Sequence, residues 1–481
     1  MGNAKFYVDI MAQHKEVTGS CILNNIVFPD GTTKKILVDC GLFQEAEYSE
    51  LNKSLPFDAS EIDYVFVTHN HVDHIGRLPL LYKNGYRGKI YMSKGTAQLI
   101  RPALEDSYKV LKAKAKMANE PQIYSELDVD ETLKLVKSID YEESLRLDNN
   151  IKFTFFKNGH LLGAVCILIQ IKYRDSSGKH YEDINLFFTG DYNSQNLLFD
   201  VPPIPKWVHQ LPVTIIQEST YGDMNSTDIE HVFEKNVLDA IAKKKEVIIP
   251  VFSLGRSQEI MYILKKWQIE GKLDKSIPIY YDGKLCNRYT QILLHGDFDL
   301  YPDAMEFRPE NLTFVSDSEL RDCIMNDGLC KIILTTSGMV SYGPAQTYVP
   351  AYLKRENALI HLAGYCAEGT LGRRLHDCAY DDVVDVSGLQ IKKKADVQFT
   401  SELSAHAKAD ELIAFLLPFE NIRLLLVNHG EVDAKDTYSR LAVNEANAKD
   451  VGILGKDTLG RDYFFRVNGY GYQKSFSSKF I

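Results

Sequence analysis

The stretch THNHVDH, at Thr68–His74, decides the fold of this 481-residue chain. It follows the apolar run Tyr64–Val67, which is typical of a buried strand. Because side chains alternate along a strand, His69 and His71 project to the same side as the chain leaves the sheet. Neutral imidazoles are preferred ligands of zinc and related metals. The spacing therefore predicts a metal site at the end of this strand.

Asp73 and His74 extend the same motif. They fall on the turn into the next helix and can reach a neighbouring position. The motif can thus feed two adjacent metals, the first bound by His69 and His71 and the second by Asp73 and His74. The alternative is a polar turn with surface histidines. That alternative crowds four donors onto one turn without a chemical reason, so we favour the metal site.

Further donors follow three other predicted strands. They are His160, which ends Asn158-Gly159-His160, Asp191 after Phe187–Gly190, and His429 after Leu425–Asn428. Alone, each is more commonly a hydrogen-bonded loop residue than a ligand. Together they supply the ligands that two metals would still lack, and the carboxylate of Asp191 could bridge both ions.

The order of these motifs resembles that of the β-CASP nucleases of the metallo-β-lactamase superfamily. The resemblance extends to about residue 440 and includes Asp39, which in the family buttresses the metal-binding loop. Three longer segments match in the same order: Pro250–Glu259, Thr336–Met339 and Gly364–Gly372. The resemblance implies an α/β protein with the αββα metallo-β-lactamase fold. A β-CASP domain of parallel sheet flanked by helices would be inserted into that fold.

The resemblance also implies two zinc ions, Zn2+, as cofactors. One ion would be held by His69, His71, His160 and Asp191. The other would be held by Asp73, His74, Asp191 and His429.

Three residues are expected to be catalytic. His406 matches the second motif of the insert and is the candidate general acid for the leaving oxygen. Glu218 matches the opening acidic motif and would hold the His406 ring and raise its pKa. Asp73 is counted as catalytic as well as metal-binding. The alternative for His406 is a loop residue near a domain junction.

Several polar groups could contact phosphate. Arg256, Lys284 and Lys392–Lys394 could line a cleft, although a solvated surface is the commoner explanation of three consecutive lysines. Ser337 and Gly338 could direct backbone amides toward phosphate or make a tight turn only.

Composition limits the class of protein. The net charge of −10 argues against general adhesion to nucleic acid or to an anionic membrane. The eight cysteines contain no Cys-x-x-Cys pair, which disfavours a structural zinc site and a disulfide framework. No run of about 18 apolar residues occurs in the sequence, so none is expected to span a bilayer. These features predict a reduced, cytoplasmic enzyme.

The pattern of strands and helices predicts three segments. The resemblance implies that residues 1–205 form the first part of the metallo-β-lactamase domain, 206–388 the β-CASP domain, and 389–481 the second part of the first domain with a C-terminal tail. The middle segment shows strict strand–helix alternation, which is typical of a parallel sheet covered by helices. Among the predicted elements are strands at Val165–Ile171, Glu246–Pro250 and Asp396–Thr400 and a helix over Asp228–Lys244.

The resemblance thus implies a zinc-dependent ribonuclease, endonucleolytic or 5′-exonucleolytic or both, acting by a two-metal mechanism at the interface of two domains. RNA is favoured because family members that act on RNA carry histidine at the position of His429, whereas the DNA-repair branch carries an apolar residue. Three alternatives stay open: a small-molecule hydrolase, a DNA nuclease of the same fold and a non-catalytic partner subunit. A homodimer is also considered, as a way to hold long RNA.

Overall fold

A computed structural model describes residues 6–13, 17–364, 366, 369–386, 388–446, 448–455 and 463–476. The chain divides into two compact units. The first contains the chain up to Gln195, Val201–Ser226 and the chain from His406 onward. The second contains Asn196–Asp200 and Thr227–Ala405.

The first unit opens with strands that are joined by short turns and helices. Its strands are β1 (Tyr7–Ala12), β2 (Ile22–Val27), β3 (Thr33–Val38), β4 (Tyr64–Phe66), β5 (Ile90–Ser93), β6 (Val136–Ile139), β7 (Ser144–Arg146), β8 (Ile151–Lys157), β9 (Val165–Ile171), β10 (Ile184–Phe188) and β11 (Val213–Glu218). Its helices are α1 (Val72–Ile75), α2 (Leu78–Lys83), α3 (Lys94–Ala118), α4 (Glu126–Lys134) and α5 (Lys206–His209), with 3₁₀ turns at Ala46–Lys53 and Ala59–Glu61.

The second unit alternates strands and helices. Its helices are α6 (Phe233–Ala242), α7 (Arg256–Ile269), α8 (Lys284–His295), α9 (Ser318–Asn326), α10 (Ala345–Leu353) and α11 (Leu371–Asp377). Its strands are β12 (Glu246–Pro250), β13 (Ile279–Asp282), β14 (Leu312–Phe314), β15 (Lys331–Thr335), β16 (Ala358–Ala363), β17 (Val383–Val386), β18 (Leu389–Lys392) and β19 (Asp396–Thr400).

The chain then returns to the first unit. This last part contains α12 (Ala409–Leu416), β20 (Ile422–Asn428), α13 (Val432–Glu445), β21 (Val451–Ile453), β22 (Tyr463–Val467) and β23 (Tyr472–Phe476).

Two sheets pack face to face in the first unit. Among the described residues, one has the order β23-β22-β1-β2-β3-β4-β5-β6 and the other the order β21-β20-β11-β10-β9-β8-β7. Their inner faces share one apolar core, in which the rings of Phe66 and Phe153 lie 4.7 Å apart. Helix α3 packs on the outer side of the first sheet, and α12 and α13 cover the outer side of the second. These layers form the αββα arrangement that was predicted.

Strand β9 shows why the sequence folds in this way. All seven of its residues are buried, because its two faces belong to different cores. Val165 and Ile167 point into the core between the sheets, whereas Cys166 and Leu168 point toward α12 and α13. A strand covered on both faces is apolar throughout rather than alternating.

The sheet of the second unit is parallel, as predicted. Its order is β14-β13-β15-β12-β16-β19 within the described residues, and each neighbouring pair runs in the same direction. Strand β12 is buried at all five positions, and α6 and α10 both pack against it. The predicted segment Gly364–Gly372 includes Tyr365, Ala367 and Glu368, which lie outside the described residues.

The boundaries between the units differ from those placed at 205/206 and 388/389. Strand β11 pairs in parallel with β10 and β20, so residues 206–226 continue the first unit. Strand β19 pairs with β16, so residues 389–405 remain in the second unit. The partner strands are separated from β11 and β19 by other segments of the chain, so local sequence patterns do not assign either strand to a sheet.

Among the described residues, none of the helices combines the length and the apolar character that a bilayer span requires.

Candidate metal centre

The donors of the centre lie at one edge of the first unit. Strands β4, β8, β10 and β20 end shortly before His69, His160, Asp191 and His429, respectively, and Glu218 is the last residue of β11. Strand β10 runs parallel to β11, and β11 runs parallel to β20, so their carboxyl ends meet at the same edge. Strand β8 is antiparallel to β9, which is antiparallel to β10, so β8 ends there too.

A first cluster of donors forms around the motif at Thr68–His74. His69, His71, His160 and Asp191 each offer one ligand atom, and these atoms lie within 4.8 Å of one another. The Nε2 atom of His160 is 3.1 Å from Nδ1 of His71. Three imidazoles and a carboxylate at this spacing are a donor set suited to zinc.

A second cluster lies beside the first. Its members are Asp73, His74 and His429, whose ligand atoms also lie within 4.8 Å of one another. The two clusters meet at Asp191. Its Oδ1 atom is 3.3 Å from Nε2 of both His74 and His429, and its Oδ2 atom is 3.6 Å from Nε2 of His69. One carboxylate therefore faces both clusters.

Neighbouring side chains fix the orientation of the imidazoles. Nδ1 of His74 donates to Asp39, at 2.7 Å from its Oδ2 atom, and this directs Nε2 toward Asp191. The same carboxylate accepts the main-chain N–H and the hydroxyl of Thr68, both at 2.8 Å. Nδ1 of His429 lies 3.0 Å from the hydroxyl of Thr220. Such partners select the tautomer that leaves Nε2 available to a metal.

Asn158 connects two of the ligand loops. Its amide nitrogen donates to the carbonyls of Thr189 and Asp191, and its oxygen accepts the main-chain N–H of His160 at 2.8 Å. The loops that carry His160 and Asp191 are therefore held together without a metal.

Unusual backbone conformations also occur at the metal centre. Asp39 and His429 both have positive φ, at 60° and 45°, a region that residues other than glycine rarely occupy. Such strain commonly accompanies functional sites. Gly41 allows the metal-binding loop to approach, since a Cβ atom there would lie 1.5 Å from the carbonyl oxygen of Asp73.

Several buried donor atoms of the centre make no hydrogen bond within the described residues. They are Nε2 of His69, His74 and His429, and Oδ1 of Asp191. Buried polar atoms are nearly always satisfied in folded proteins. Their proximity to one another is the pattern that bound cations would complete, so the donor set fits divalent metal ions.

The pKa values of the clustered side chains are shifted by burial and by their charged neighbours. Burial, followed by the charge of His74, holds the pKa of His69 well below its usual value, so this imidazole is a neutral ligand. Burial opposes ionisation of Asp191, yet His429, His74 and His69 together hold its pKa well below the usual range. Burial alone would lower the pKa of His74, but Asp191 and Asp39 raise it well above its usual value. A cation binding at His74 must therefore displace a proton.

His406 lies beside the clusters. Its Nδ1 atom donates to Glu218, at 2.8 Å from Oε2, and its ring centroid is 4.7 Å from that of His160. Glu218 is itself held by the main-chain N–H groups of Tyr192 and Thr220. Burial would lower the pKa of His406, but the charge of Glu218 and the hydrogen bond to it raise that pKa above its usual value. The imidazole is thus suited to donate a proton near neutral pH.

Comparison with known proteins assigns the fold family. The model of the metallo-β-lactamase superfamily matches residues 20–162, that of the Beta-Casp domain residues 257–375, and that of the Zn-dependent metallo-hydrolase RNA specificity domain residues 390–453. An RNase J-like protein of Methanocaldococcus jannaschii is 31% identical over 82% of this chain and 87% of its own length. This chain belongs to the β-CASP family of the metallo-β-lactamase superfamily.

Two other relatives support the assignment to the β-CASP family. A ribonuclease of Thermus thermophilus is 29% identical over 87% of this chain and 91% of its own length. A transcription termination factor, FttA, of Methanosarcina mazei is 31% identical over 89% of this chain and 68% of its own length. The metallo-β-lactamase fold is that of a divalent-metal-dependent hydrolase, and the His/Asp clusters of this β-CASP protein are groups that could hold such metal ions.

Every ligand predicted from the sequence lies in one of the two clusters, and His406 lies beside Glu218. Three neighbours of the centre were not predicted from the sequence: Thr68, which contacts Asp39, Thr220, which contacts His429, and Lys408, which contacts the carbonyl of His406. The two threonines adjoin recognised motifs and could have been found as partners for a histidine ring. Lys408 gave no signal beyond its position two residues after His406.

The polar groups considered for phosphate binding lie in the second unit. Arg256 pairs with Glu259, and both side chains are buried. Lys392 and Lys394 both pair with Asp381, at 3.0 and 2.6 Å, which agrees with a surface role. Lys393 is instead buried and donates to the main-chain carbonyl of Cys378, so the solvated-surface interpretation is wrong for this lysine. Lys284 is exposed at the first residue of α8. The hydroxyl of Ser337 accepts the N–H of Ser341 at 3.0 Å, as in a tight turn.

Proposed function

We propose that this β-CASP protein is a zinc-dependent ribonuclease that hydrolyses RNA phosphodiester bonds with two zinc ions. The observation that carries the proposal is the position of the His406–Glu218 pair beside two adjoining clusters of metal donors. A metal pair alone is common to many hydrolases. A histidine acid held by a carboxylate adds the group that an alkoxide leaving from phosphorus requires.

The proposed ligand sets follow the two clusters. His69, His71, His160 and Asp191 would hold one zinc, and Asp73, His74, Asp191 and His429 would hold the other. When bound, the two ions would activate water near neutral pH and offset negative charge on the scissile phosphate.

The side chains have separate tasks in the reaction. Burial opposes ionisation of Asp73, but the nearby imidazoles of His429 and His74 hold its pKa below the usual value, so the carboxylate is ionised. It can therefore bind a cation and accept a hydrogen bond from the attacking water. Glu218 holds Nδ1 of His406, which leaves the proton on Nε2 for the leaving oxygen. Asp39 and Thr220 keep His74 and His429 oriented throughout.

RNA is the substrate that the observations favour. The relatives include proteins named as a ribonuclease and as RNase J-like, and one matching family model is described as an RNA specificity domain. His429, which the sequence analysis associated with RNA, contacts Thr220 and Asp191 at the centre.

The test is cleavage of end-labelled RNA by the purified protein, with single-stranded DNA of the same sequence as the comparison. We expect cleavage of RNA that a chelator abolishes and added zinc restores, and much slower cleavage of DNA. Substrates with blocked and free 5′ ends distinguish internal cleavage from 5′-exonucleolytic cleavage. Absence of RNA cleavage from protein that contains two zinc ions would refute the proposal, and equal cleavage of DNA would refute the substrate assignment.

Two further parts of the proposal concern the cellular compartment and the oligomeric state of the protein. The eight cysteines are all free thiols, which fits a reducing compartment such as the cytoplasm. Homodimerisation is proposed as a way for an acidic chain to hold long RNA. Light scattering of the purified protein tests it, and a monomer at working concentration would exclude it.

A further inference from the structure

Lys408 is a buried lysine next to the candidate general acid. It lies two residues after His406 and immediately before α12, and only 4% of its surface is exposed. Removing an ammonium group from water costs several kcal/mol unless the protein replaces the lost hydration. The contacts that replace it therefore indicate what the residue does.

Those contacts join the two segments that carry the acid and its carboxylate. The Nζ atom of Lys408 donates to the main-chain carbonyl of His406 at 3.1 Å. The same ammonium lies over the ring of Tyr221, 4.0 Å from its centroid, which is a cation–π arrangement. Tyr221 is three residues after Glu218, and its main chain forms a β-bridge with that of Lys408.

The residue type is unusual for this position. The residue that precedes a helix is normally Ser, Thr, Asp or Asn, and a positive charge at that end opposes the helix dipole. Here the protein compensates with Glu411, which accepts the main-chain N–H of Lys408 at 2.8 Å, and with Asp410 in the first turn of α12. A local preference that is broken and then compensated is typical of a functional position.

We propose that Lys408 is a positioning residue for His406. Its ammonium group holds the main-chain carbonyl of His406 and, through the ring of Tyr221, ties the His406 segment to the Glu218 segment. The imidazole is thereby kept aimed at the leaving oxygen. This inference rests on the proposed ribonuclease function, in which His406 is the general acid.

A direct contact between Lys408 and a substrate phosphate is the main alternative. The structure opposes it, because the ammonium is buried and is occupied by a carbonyl and an aromatic ring. The two roles predict different kinetics. A positioning residue affects kcat on substrates that need the acid, whereas a phosphate contact affects KM on all phosphodiesters.

The test compares RNA with bis(p-nitrophenyl) phosphate. The p-nitrophenolate anion leaves without a proton, so its release does not need His406, whereas the ribose oxygen of RNA does. We expect Lys408→Met to lower kcat on RNA by about tenfold to a hundredfold, with KM, zinc content and hydrolysis of the activated diester unchanged. His406→Ala should show the same pattern more strongly. Lys408→Arg should restore RNA cleavage, and Lys449→Met, at an exposed lysine, should match the wild type.

Tyr221→Leu provides a second route if Lys408→Met does not fold, and it should give the same loss on RNA alone. Wild-type kcat on RNA in folded Lys408→Met would overturn the inference. So would a rise in KM without a fall in kcat, or a parallel loss of both activities with loss of zinc. Failure of the wild-type protein itself to cleave RNA would instead refute the proposed function.

Discussion

Glu218 sets the protonation of His406 through one short contact. Its carboxylate raises the pKa of that imidazole, and the protonated ring is the active form of a general acid. Activity is therefore lost as pH rises through the pKa of His406. Replacing Glu218 by glutamine keeps an acceptor for Nδ1 but removes the negative charge.

For Glu218→Gln we expect the alkaline limb of the kcat profile on RNA to move to lower pH, by about one unit for each 1.4 kcal/mol of lost stabilisation. The profile on bis(p-nitrophenyl) phosphate serves as the control and should keep its alkaline limb. An unchanged RNA profile would show that Glu218 does not govern the acid.

Asp39 acts on the metal centre without being a ligand. Its carboxylate holds Nδ1 of His74 and two groups of Thr68. Loss of such a partner typically weakens metal affinity by about tenfold to a hundredfold. We expect Asp39→Asn to lose one zinc first on dialysis against a graded chelator, as measured by elemental analysis. Asp200→Asn, at an exposed aspartate, is the control, and equal zinc retention by the two variants would contradict the role.

At the scale of elements, the turn after β3 must lie directly against the metal-binding loop. Main-chain bonds join Ser20 to Asp73, Cys40 to His74 and Gly41 to Ser20, each at 2.8 Å. A methyl group at Gly41 would overlap the carbonyl of Asp73. We expect Gly41→Ala to cost about 3 kcal/mol or more in urea unfolding and to lower zinc content. Gly471→Ala, where a Cβ atom meets nothing within 4 Å, should do neither. A stable, zinc-replete Gly41→Ala would disprove the packing.

Individual strands could be predicted well, but their partners could not. The bounds of β9, β12 and β19 agree with the sequence prediction to the residue. Strands β9 and β12 are short, largely apolar runs, whereas β19 alternates polar and apolar residues. Helix α6 was predicted over Asp228–Lys244 but begins at Phe233. The carboxylate of Glu402 accepts the N–H groups of Val232 and Phe233 there, and this cap lies about 170 residues away in the chain. No local pattern contains that information.

The candidate site was more predictable than the domain boundaries. Metal donors must be particular residue types near strand ends, so His69 and its neighbours are visible in one sequence. Lys408 is different, since lysine is ordinarily a surface residue and only its burial beside His406 reveals a role. Strand β11 was assigned to the β-CASP domain, but it pairs with β10 and β20 in a sheet of the first unit. Those partners can be recognised only when the order of the whole sheet is known.

At the scale of the molecule, the free energy of unfolding of the second unit should decrease in mild acid. Burial lowers the pKa of His361 to about 4 from its usual 6.5, so folding favours the neutral ring. The stabilisation is complete above pH 6.5 and is lost as pH falls toward 4. Between pH 7.5 and 5.5 this one group should cost about 1 kcal/mol of stability.

Urea unfolding followed by Trp267 fluorescence tests this expectation, since Trp267 and His361 both contact Phe233. The background should be Trp207→Phe, which leaves one tryptophan. His361→Leu should remove about 1 kcal/mol of the difference between the two pH values, while acid sensitivity from other groups persists. An equal pH dependence in both proteins would contradict the assignment.

The central claim is that two zinc ions and the His406 acid act together on RNA. Its most direct test is single-turnover RNA cleavage by His406→Ala and wild-type protein, with zinc measured in the same samples and exposed His295→Ala as the control. The account predicts two zinc ions per chain in all three proteins and a loss of at least about a hundredfold in His406→Ala alone. Wild-type cleavage by zinc-replete His406→Ala, or fewer than two zinc ions in active wild-type protein, would contradict it.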